Sequence, residues 1–144
     1  MDDPFELRRF EIAQAEGGTY EAAVAELRAG RKRSHWMWFV FPQIAGLGRS
    51  PMSRMFAIAS IEEAEAYLRH PVLGRRLREC TRIVSELRDR SAAEIFGPID
   101  ALKLRSSMTL FAHAAPDEPL FREVLRRYFE GVGDEATEAR LRAG

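Results

Sequence analysis

The spacing of apolar residues along the chain predicts a series of amphipathic helices. Apolar residues recur at intervals of three and four in residues 19–27, 73–87 and 121–128, which places them on one face of a helix. No stretch alternates apolar and polar residues between hairpin turns, as half-buried strands would. The pattern therefore predicts an all-α fold.

Helix-start signals divide this pattern into separate elements. They consist of an Asp, Ser or Thr N-cap, often followed by Pro or by Glu three residues later. They stand at Asp3, Thr19, Ser50, Ser60, Ser91 and Asp117, and Pro71 opens the helix predicted to be the longest. The signals predict about seven or eight helices in one compact domain, an orthogonal bundle over residues 1–144 with a frayed tail at 134–144.

For residues 36–41 the periodicity does not distinguish helix from strand, because every residue from Trp36 to Phe41 is apolar. Such a run fits either a strand or a buried helix. The helical surroundings favour a short buried helix that ends at Pro42.

Composition limits the class of protein. The chain has 144 residues, 46% hydrophobic and 31% charged, with no net charge and one cysteine. No apolar run approaches the roughly 20 residues of a membrane-spanning helix, and the acidic start does not fit a secretory signal. We therefore expect a cytoplasmic protein without an internal disulfide. Zero net charge argues against a general nucleic-acid coat protein, although it leaves room for a local basic site.

Charge is nevertheless unevenly distributed. Residues 27–61 contain no Asp or Glu but carry Arg28, Arg31, Lys32, Arg33, Arg49 and Arg54. Only Lys32 and Lys103 among the 22 basic residues are lysines. A lysine in an arginine-rich chain hints at a need for a compact ammonium group.

The same region contains both tryptophans of the chain, Trp36 and Trp38, followed by Gln43. These rings can form an aromatic wall on which a flat ligand stacks, with neighbouring cations holding phosphate groups. The alternative is that both indoles belong to the core, since an unbroken apolar run usually indicates burial. At helical spacing the two side chains point about 200° apart, so one can be buried while the other faces a pocket.

His35 stands between the cations and the tryptophans, where an imidazole can act as a general acid or base. The alternative is a partly buried histidine that bonds a nearby carbonyl group. The three histidines and one cysteine show no metal-ligand spacing, so neither a metal nor another cofactor is predicted.

Ser50 and Arg54 belong to a glycine-containing loop that leads into a helix start. Free backbone N–H groups at such a start can bind an anion, although the segment is not a P-loop. The alternative is an ordinary Ser-Pro helix cap.

Lys103, Ser106 and Ser107 share one face of a predicted helix. The Lys-x-x-Ser order reverses that of acyl-transfer nucleophiles, and the companion motifs are missing. We therefore interpret Lys103 and Ser107 as a polar patch that faces the basic loop.

Several motifs resemble a known family. They are Arg31–Gly48 with its Trp-Met-Trp-Phe-Val-Phe-Pro-Gln run, the segment Tyr67-Leu68-x-His70-Pro71, and Leu102–Phe111. Together they resemble the domain of unknown function 1810 family of small bacterial proteins, some of which have been labelled calpastatin. The resemblance implies a single all-helical domain and no established activity. The calpastatin label does not fit, because such inhibitors are disordered repeats.

From these features we expect a domain that binds, or processes, a small anionic nucleotide-like metabolite in a basic and aromatic pocket. The predicted ligand-binding residues are Lys32, Trp36, Trp38, Gln43, Ser50, Arg54, Lys103 and Ser107, with His35 as the acid/base candidate. A single-stranded RNA-binding module and a protein-partner-binding module without catalysis are the alternatives. No membrane partner is expected.

Overall fold

The computed structural model describes residues 2–143, and its regular structure is helical throughout. This part of the chain contains ten α-helices and one 3₁₀ turn at Glu16–Gly18. The helices are α1 Arg8–Ala15, α2 Thr19–Arg28, α3 Met37–Val40, α4 Pro51–Met55, α5 Ile61–Arg69, α6 Leu73–Glu86, α7 Ala92–Phe96, α8 Pro98–Ala114, α9 Leu120–Phe129 and α10 Glu135–Ala143. The all-α prediction is confirmed, and the helix count was close, since α3, α4 and α7 have only four or five residues.

Several helix starts lie where their side chains predicted. Ser50, Ser60 and Ser91 each accept a hydrogen bond from the backbone N–H three residues later, and Ser91 completes a capping box with Glu94. Ser50 in addition precedes Pro51, the first residue of α4. These three caps are confirmed. They were predictable because each cap involves only residues of its own turn.

Other helix starts differ from the prediction. Helix α1 begins at Arg8, because Glu6 adopts a left-handed φ of 52°, although Asp3 still accepts hydrogen bonds from the N–H groups of Leu7 and Arg8. The N-cap of α2 is Gly18, with a φ of 72°, while the predicted cap Thr19 is already helical.

The prediction of the longest helix was also wrong. It is α8, with 17 residues, whereas α6 has 14 and begins at Leu73, two residues after Pro71. His70 performs the capping there, since its Nδ1 accepts hydrogen bonds from the N–H groups of Val72 and Leu73.

Helix α8 lies at the centre of the molecule and packs against α5, α7, α9 and α10. Its Leu104, Met108 and Phe111 are fully buried. Helix α6 adds Leu77 and Val84 to the same core. Helix α8 is enclosed along most of its length, and its first turns carry two exposed apolar side chains, Ile99 and Leu102.

The apolar run after the basic cluster forms α3, as predicted, and Phe41 and Pro42 end it. The following loop is held by a single parallel bridge between Ile44 and Ile58. In this bridge Ala45 N–H donates to the Ile58 carbonyl, and Ile58 N–H donates to the Gln43 carbonyl, both at 2.8 Å. The bridge fixes the backbone at Gln43, a residue that lines a common recess with Trp38.

None of the helices in residues 2–143 combines the length and apolar character that crossing a lipid bilayer requires.

Candidate functional site

An open groove of about 550 Å³ lies where α3, the loop after it, the start of α8 and the start of α10 meet. Four of the predicted ligand-binding residues line it: Trp38, Gln43, Ser50 and Lys103. The other lining residues are Leu47, Gly48, Arg49, Ser53, Ile99, Leu102, Ser106, Asp134 and Ala136. We call this feature the α8 groove.

Trp38 and Lys103 form the central contact of the α8 groove. The Lys103 ammonium lies over the indole, 4.3 Å from the ring centroid, in a cation–π arrangement. The Lys103 side chain keeps 22% of its exposure, and Trp38 is half-buried. The groove therefore presents an accessible cation next to an aromatic surface.

Asp100 joins the two lysines of the chain. Its Oδ1 lies 3.0 Å from Lys103 Nζ, and its Oδ2 lies 2.9 Å from Lys32 Nζ. Burial by itself would raise the pKa of Asp100, but the hydrogen bonds from Lys32 and Lys103 outweigh it and lower the pKa. One carboxylate thus faces two ammonium groups and leaves one positive charge uncompensated.

Lys32 does not line the α8 groove. Only 8% of its side chain is exposed, and its ammonium also donates to the Ser34 carbonyl at 2.6 Å. The same ammonium lies 5.0 Å from the centroid of the Trp36 ring. Lys32 therefore ties the basic segment to α8 instead of presenting its charge in the groove.

Trp36 belongs to the core. It is 1% exposed, packs near Phe41 and Phe96, and donates its indole N–H to Glu26 at 2.9 Å. Of the two tryptophans, only Trp38 offers a surface to the groove. One indole is buried and the other faces the groove, as the sequence allowed, but Trp36 precedes α3 with a non-helical backbone, so helical spacing is not the cause.

The loop before α4 forms the other wall of the groove. The Ser50 hydroxyl accepts a hydrogen bond from Ser53 N–H at 3.1 Å, and the Ser53 hydroxyl donates to the Ser50 carbonyl at 2.9 Å. Gly48 is required here, because a Cβ at this position would lie 2.6 Å from the Ser53 Oγ. Arg49 is exposed on this wall and makes no ion pair within residues 2–143.

Besides Lys32 and Trp36, three more predicted residues lie outside the α8 groove. Arg54 borders a smaller recess of about 120 Å³, which shares Trp38 and Gln43 with the α8 groove. His35 is exposed and does not line the groove. Ser107 is fully buried, and its Oγ has no hydrogen-bond partner in the described part of the chain.

Sequence reasoning did not include Asp100 and Arg49 in the candidate site, and from the face that carries Ser106 and Ser107 it selected Ser107. Asp100 and Ser106 stand three residues before and after Lys103, so helical spacing was a usable signal for both. Ser106, and not Ser107, reaches the groove, and its hydroxyl donates to the Leu102 carbonyl at 3.1 Å. Asp100, about 70 residues away in the sequence, pairs with Lys32 of the acid-free window.

Within residues 2–143, no three His, Cys, Asp or Glu side chains gather in an arrangement that could hold a metal ion. The groove residues can instead donate hydrogen bonds, stack a ring and attract an anion.

Comparison with known proteins identifies relatives of unknown function. The profile of a family described as protein of unknown function, DUF1810, matches residues 4–141. The crystal structure of a conserved hypothetical protein from Mycobacterium tuberculosis is 55% identical, with a TM-score of 0.94, over 97% of this chain and 99% of that chain. No curated protein matches at a significant level.

Proposed function

The chain belongs to the DUF1810 family of proteins of unknown function, and from the geometry of its groove we propose that it binds a small anionic, nucleotide-like molecule. The α8 groove is the binding site. The anionic group of the ligand lies against Lys103 and Arg49, and its flat ring lies against Trp38. This binding takes place in the cytoplasm.

The observation that carries the proposal is the meeting of Trp38, Gln43, Ser50 and Lys103 in one groove. These residues come from three separate parts of the sequence, and three of them supply different interactions. Trp38 offers an aromatic face, Gln43 an amide that both donates and accepts, and Lys103 an ammonium with three N–H groups. A groove of about 550 Å³ falls within the roughly 300 to 1,000 Å³ that small-molecule sites occupy.

The charge balance of the groove favours an anion. Lys103 and Arg49 line it with Asp134 as the single acidic lining residue. The Asp134 carboxylate is engaged at the start of α10, where its Oδ2 accepts from Thr137 N–H at 2.9 Å and from the Thr137 hydroxyl at 2.7 Å. The carboxylate of Asp134 is thus held at the start of α10, and the two cations of the lining outnumber it.

A thermal-shift screen with AMP, GMP, CMP and UMP tests the proposal, with the matching uncharged nucleosides as controls. Binding raises the melting temperature with ligand concentration. We expect at least one mononucleotide to stabilise the protein and its nucleoside to do so less. If no mononucleotide shifts the melting temperature at millimolar concentration, the proposal is wrong.

Two lysine variants then locate the site. Lys103→Met removes the groove ammonium and should weaken nucleotide binding about 10- to 100-fold, as expected for a charge-assisted hydrogen bond. Lys32→Met is the matched control, because Lys32 binds the same Asp100 carboxylate but lies outside the groove. Equal losses in the two variants, measured by calorimetric titration, would contradict the assignment to the α8 groove.

Single-stranded RNA binding is a second candidate, favoured by a surface of exposed arginines. The Arg90 side chain lies across Gly30, with its Nε 3.1 Å from the position of a Gly30 Cβ. Arg31 and Arg33 follow Gly30 closely, and all three arginines are exposed without an ion pair in the described residues.

The RNA candidate predicts affinity for labelled oligouridylate that falls steeply between about 50 and 200 mM salt. An Arg31→Gln, Arg33→Gln, Arg90→Gln variant should reduce the salt slope, whereas Lys103→Met should leave it unchanged. Fluorescence anisotropy measures both effects. Affinity that is insensitive to salt would exclude this candidate.

A further inference from the structure

Part of the α8 groove wall is exposed and apolar. Ile99 is 71% exposed and Leu102 is 60% exposed, and both line the groove together with Leu47 and Ala136. Solitary exposed apolar side chains are common on protein surfaces. Here two of them stand one helical turn apart at the mouth of a single groove, next to Lys103.

The geometry of α8 arranges these groups in a line. Ile99 and Lys103 are four residues apart, which corresponds to about 6 Å along the helix axis. Leu102 stands three residues after Ile99 and therefore shares its face. A ligand whose anionic group contacts Lys103 thus has an exposed apolar wall extending beside it toward the start of α8.

We infer that the ligand of the α8 groove is an amphiphilic anion, in which a phosphate or carboxylate head is joined to an apolar arm. The inference rests on the proposed function, since the head uses the same Lys103. The arm covers Leu102 and Ile99, and its length is about four to six carbon atoms to match the helix span. A mononucleotide without such an arm would leave these apolar side chains exposed to water.

Charge complementarity and size together argue for a small molecule as the occupant. The groove is lined both by the cations Lys103 and Arg49 and by exposed apolar side chains, so it offers contacts to a charged head and to an apolar tail. Ser106 lies one turn beyond Leu102 on the same face. The arm is therefore expected to run from Lys103 toward Ile99, away from the hydroxyl of Ser106.

Methyl phosphate and hexyl phosphate test the inference, because they share a head and differ only in the arm. Calorimetric titration of the full chain should show hexyl phosphate binding at least about 10-fold more tightly, from partial burial of the added methylene groups. Leu102→Ser and Ile99→Ser should each reduce this preference to about threefold or less. Both side chains are exposed, so the variants should keep the melting temperature of the wild type.

Ile12→Ser is the matched control, because Ile12 is 55% exposed and does not line the α8 groove. It should retain the full preference for hexyl phosphate. A preference that falls equally in Ile12→Ser would overturn the inference, since the arm would then bind without regard to the groove.

The remaining outcomes separate this inference from the proposed function. Equal affinity for the two phosphates, with both weakened by Lys103→Met, would overturn the apolar arm and leave anion binding in place. If neither phosphate binds and no mononucleotide stabilises the protein, the proposed function fails and this inference fails with it.

Discussion

Glu26 fastens the basic segment that precedes α3. Its carboxylate accepts hydrogen bonds from the N–H groups of Arg33 and Ser34 at 2.7 and 3.0 Å, from the Ser34 hydroxyl at 2.5 Å and from the Trp36 indole at 2.9 Å. Burial by itself would raise the pKa of Glu26, but these four donors outweigh it and lower the pKa to about 2. The charged form of Glu26 is therefore the one that the fold stabilises.

We predict that Glu26→Gln lowers the free energy of unfolding by about 2 kcal/mol at neutral pH, because an amide replaces a charged acceptor. The folded pKa is depressed, so the contribution is fully present above the ordinary glutamate pKa of 4.5 and is lost as pH falls toward about 2. Urea unfolding across this range should show the wild type and the variant converging at acid pH. Glu21→Gln, an exposed change on the same helix, should show no such convergence, and a constant difference in Glu26→Gln would contradict the prediction.

Asp100 has opposite effects on stability and on the proposed binding. It compensates two ammonium groups, one of them on a lysine side chain that is only 8% exposed, and so contributes to folding. The same carboxylate competes with an external anion for Lys103. Despite burial, the two lysines lower the pKa of Asp100, so its charged form is the one they stabilise.

We predict that Asp100→Asn destabilises the fold by about 2 kcal/mol, since two charged hydrogen bonds lose their acceptor charge. It should also strengthen anion binding by roughly threefold to tenfold, because the groove gains net positive charge. Thermal melts and calorimetric titration with AMP measure the two effects, and Asp117→Asn, on an exposed residue, serves as the control. Weaker AMP binding in Asp100→Asn would show that the carboxylate helps to form the site.

The residue types of the site were predictable, but their partners were not. Trp38 and Lys103 were predicted as ligand-binding residues from their types and surroundings. The Lys103 ammonium lies 4.3 Å from the centroid of the Trp38 ring. From sequence, Lys32 and Trp36 were equally good candidates. In the structure Lys32 pairs with Asp100 and Trp36 donates to Glu26, and neither Lys32 nor Trp36 lines the groove. Which of two similar residues becomes buried depends on distant acceptors, and local sequence does not contain that information.

At the scale of helices, α5 and α6 approach closely at Gly74. A Cβ at this position would overlap the backbone carbonyl of Leu68, at the end of α5. Gly74 itself is buried in the first turn of α6. The absence of a side chain is thus what lets the two helices pack at this distance.

We predict that Gly74→Ala destabilises the protein by about 2 kcal/mol or more, because a backbone carbonyl cannot move aside as a side chain can. Helix propensity alone predicts the opposite sign, a gain of about 0.5 to 1 kcal/mol. Chemical denaturation followed by circular dichroism decides the sign. Arg75→Ala, on the exposed neighbour, should be nearly neutral, and a stabilised Gly74→Ala would refute the close approach.

Helix boundaries were predictable where the cap is local to its own turn. Ser50, Ser60 and Ser91 cap as their sequence indicates. The starts predicted from Asp3 and Pro71 were wrong. The left-handed backbone of Glu6 determines where α1 begins, and the side chain of His70 determines where α6 begins. A residue outside the helical pattern set the boundary in each of these cases.

At the scale of the whole molecule, the core surrounds α8 and includes the single cysteine. Cys80 on α6 is fully buried, and burial raises the pKa of its thiol to about 12. The apolar faces that form this core were predictable from periodicity. The meeting of α3, α8 and the loop before α4 was not, since it depends on packing between distant segments.

We predict that Cys80 reacts with the disulfide reagent DTNB only when the protein unfolds globally, because the reagent needs an accessible thiolate. The native reaction should be at least about 10³-fold slower than that of the unfolded chain, given typical domain stability. Its rate should rise with urea in parallel with unfolding measured by circular dichroism. A Cys80→Ala, Ala139→Cys variant, with its thiol on the exposed face of α10, should react rapidly without urea. A Cys80 rate that does not depend on urea would instead reveal local opening of α6, and the core would then consist of units that open separately.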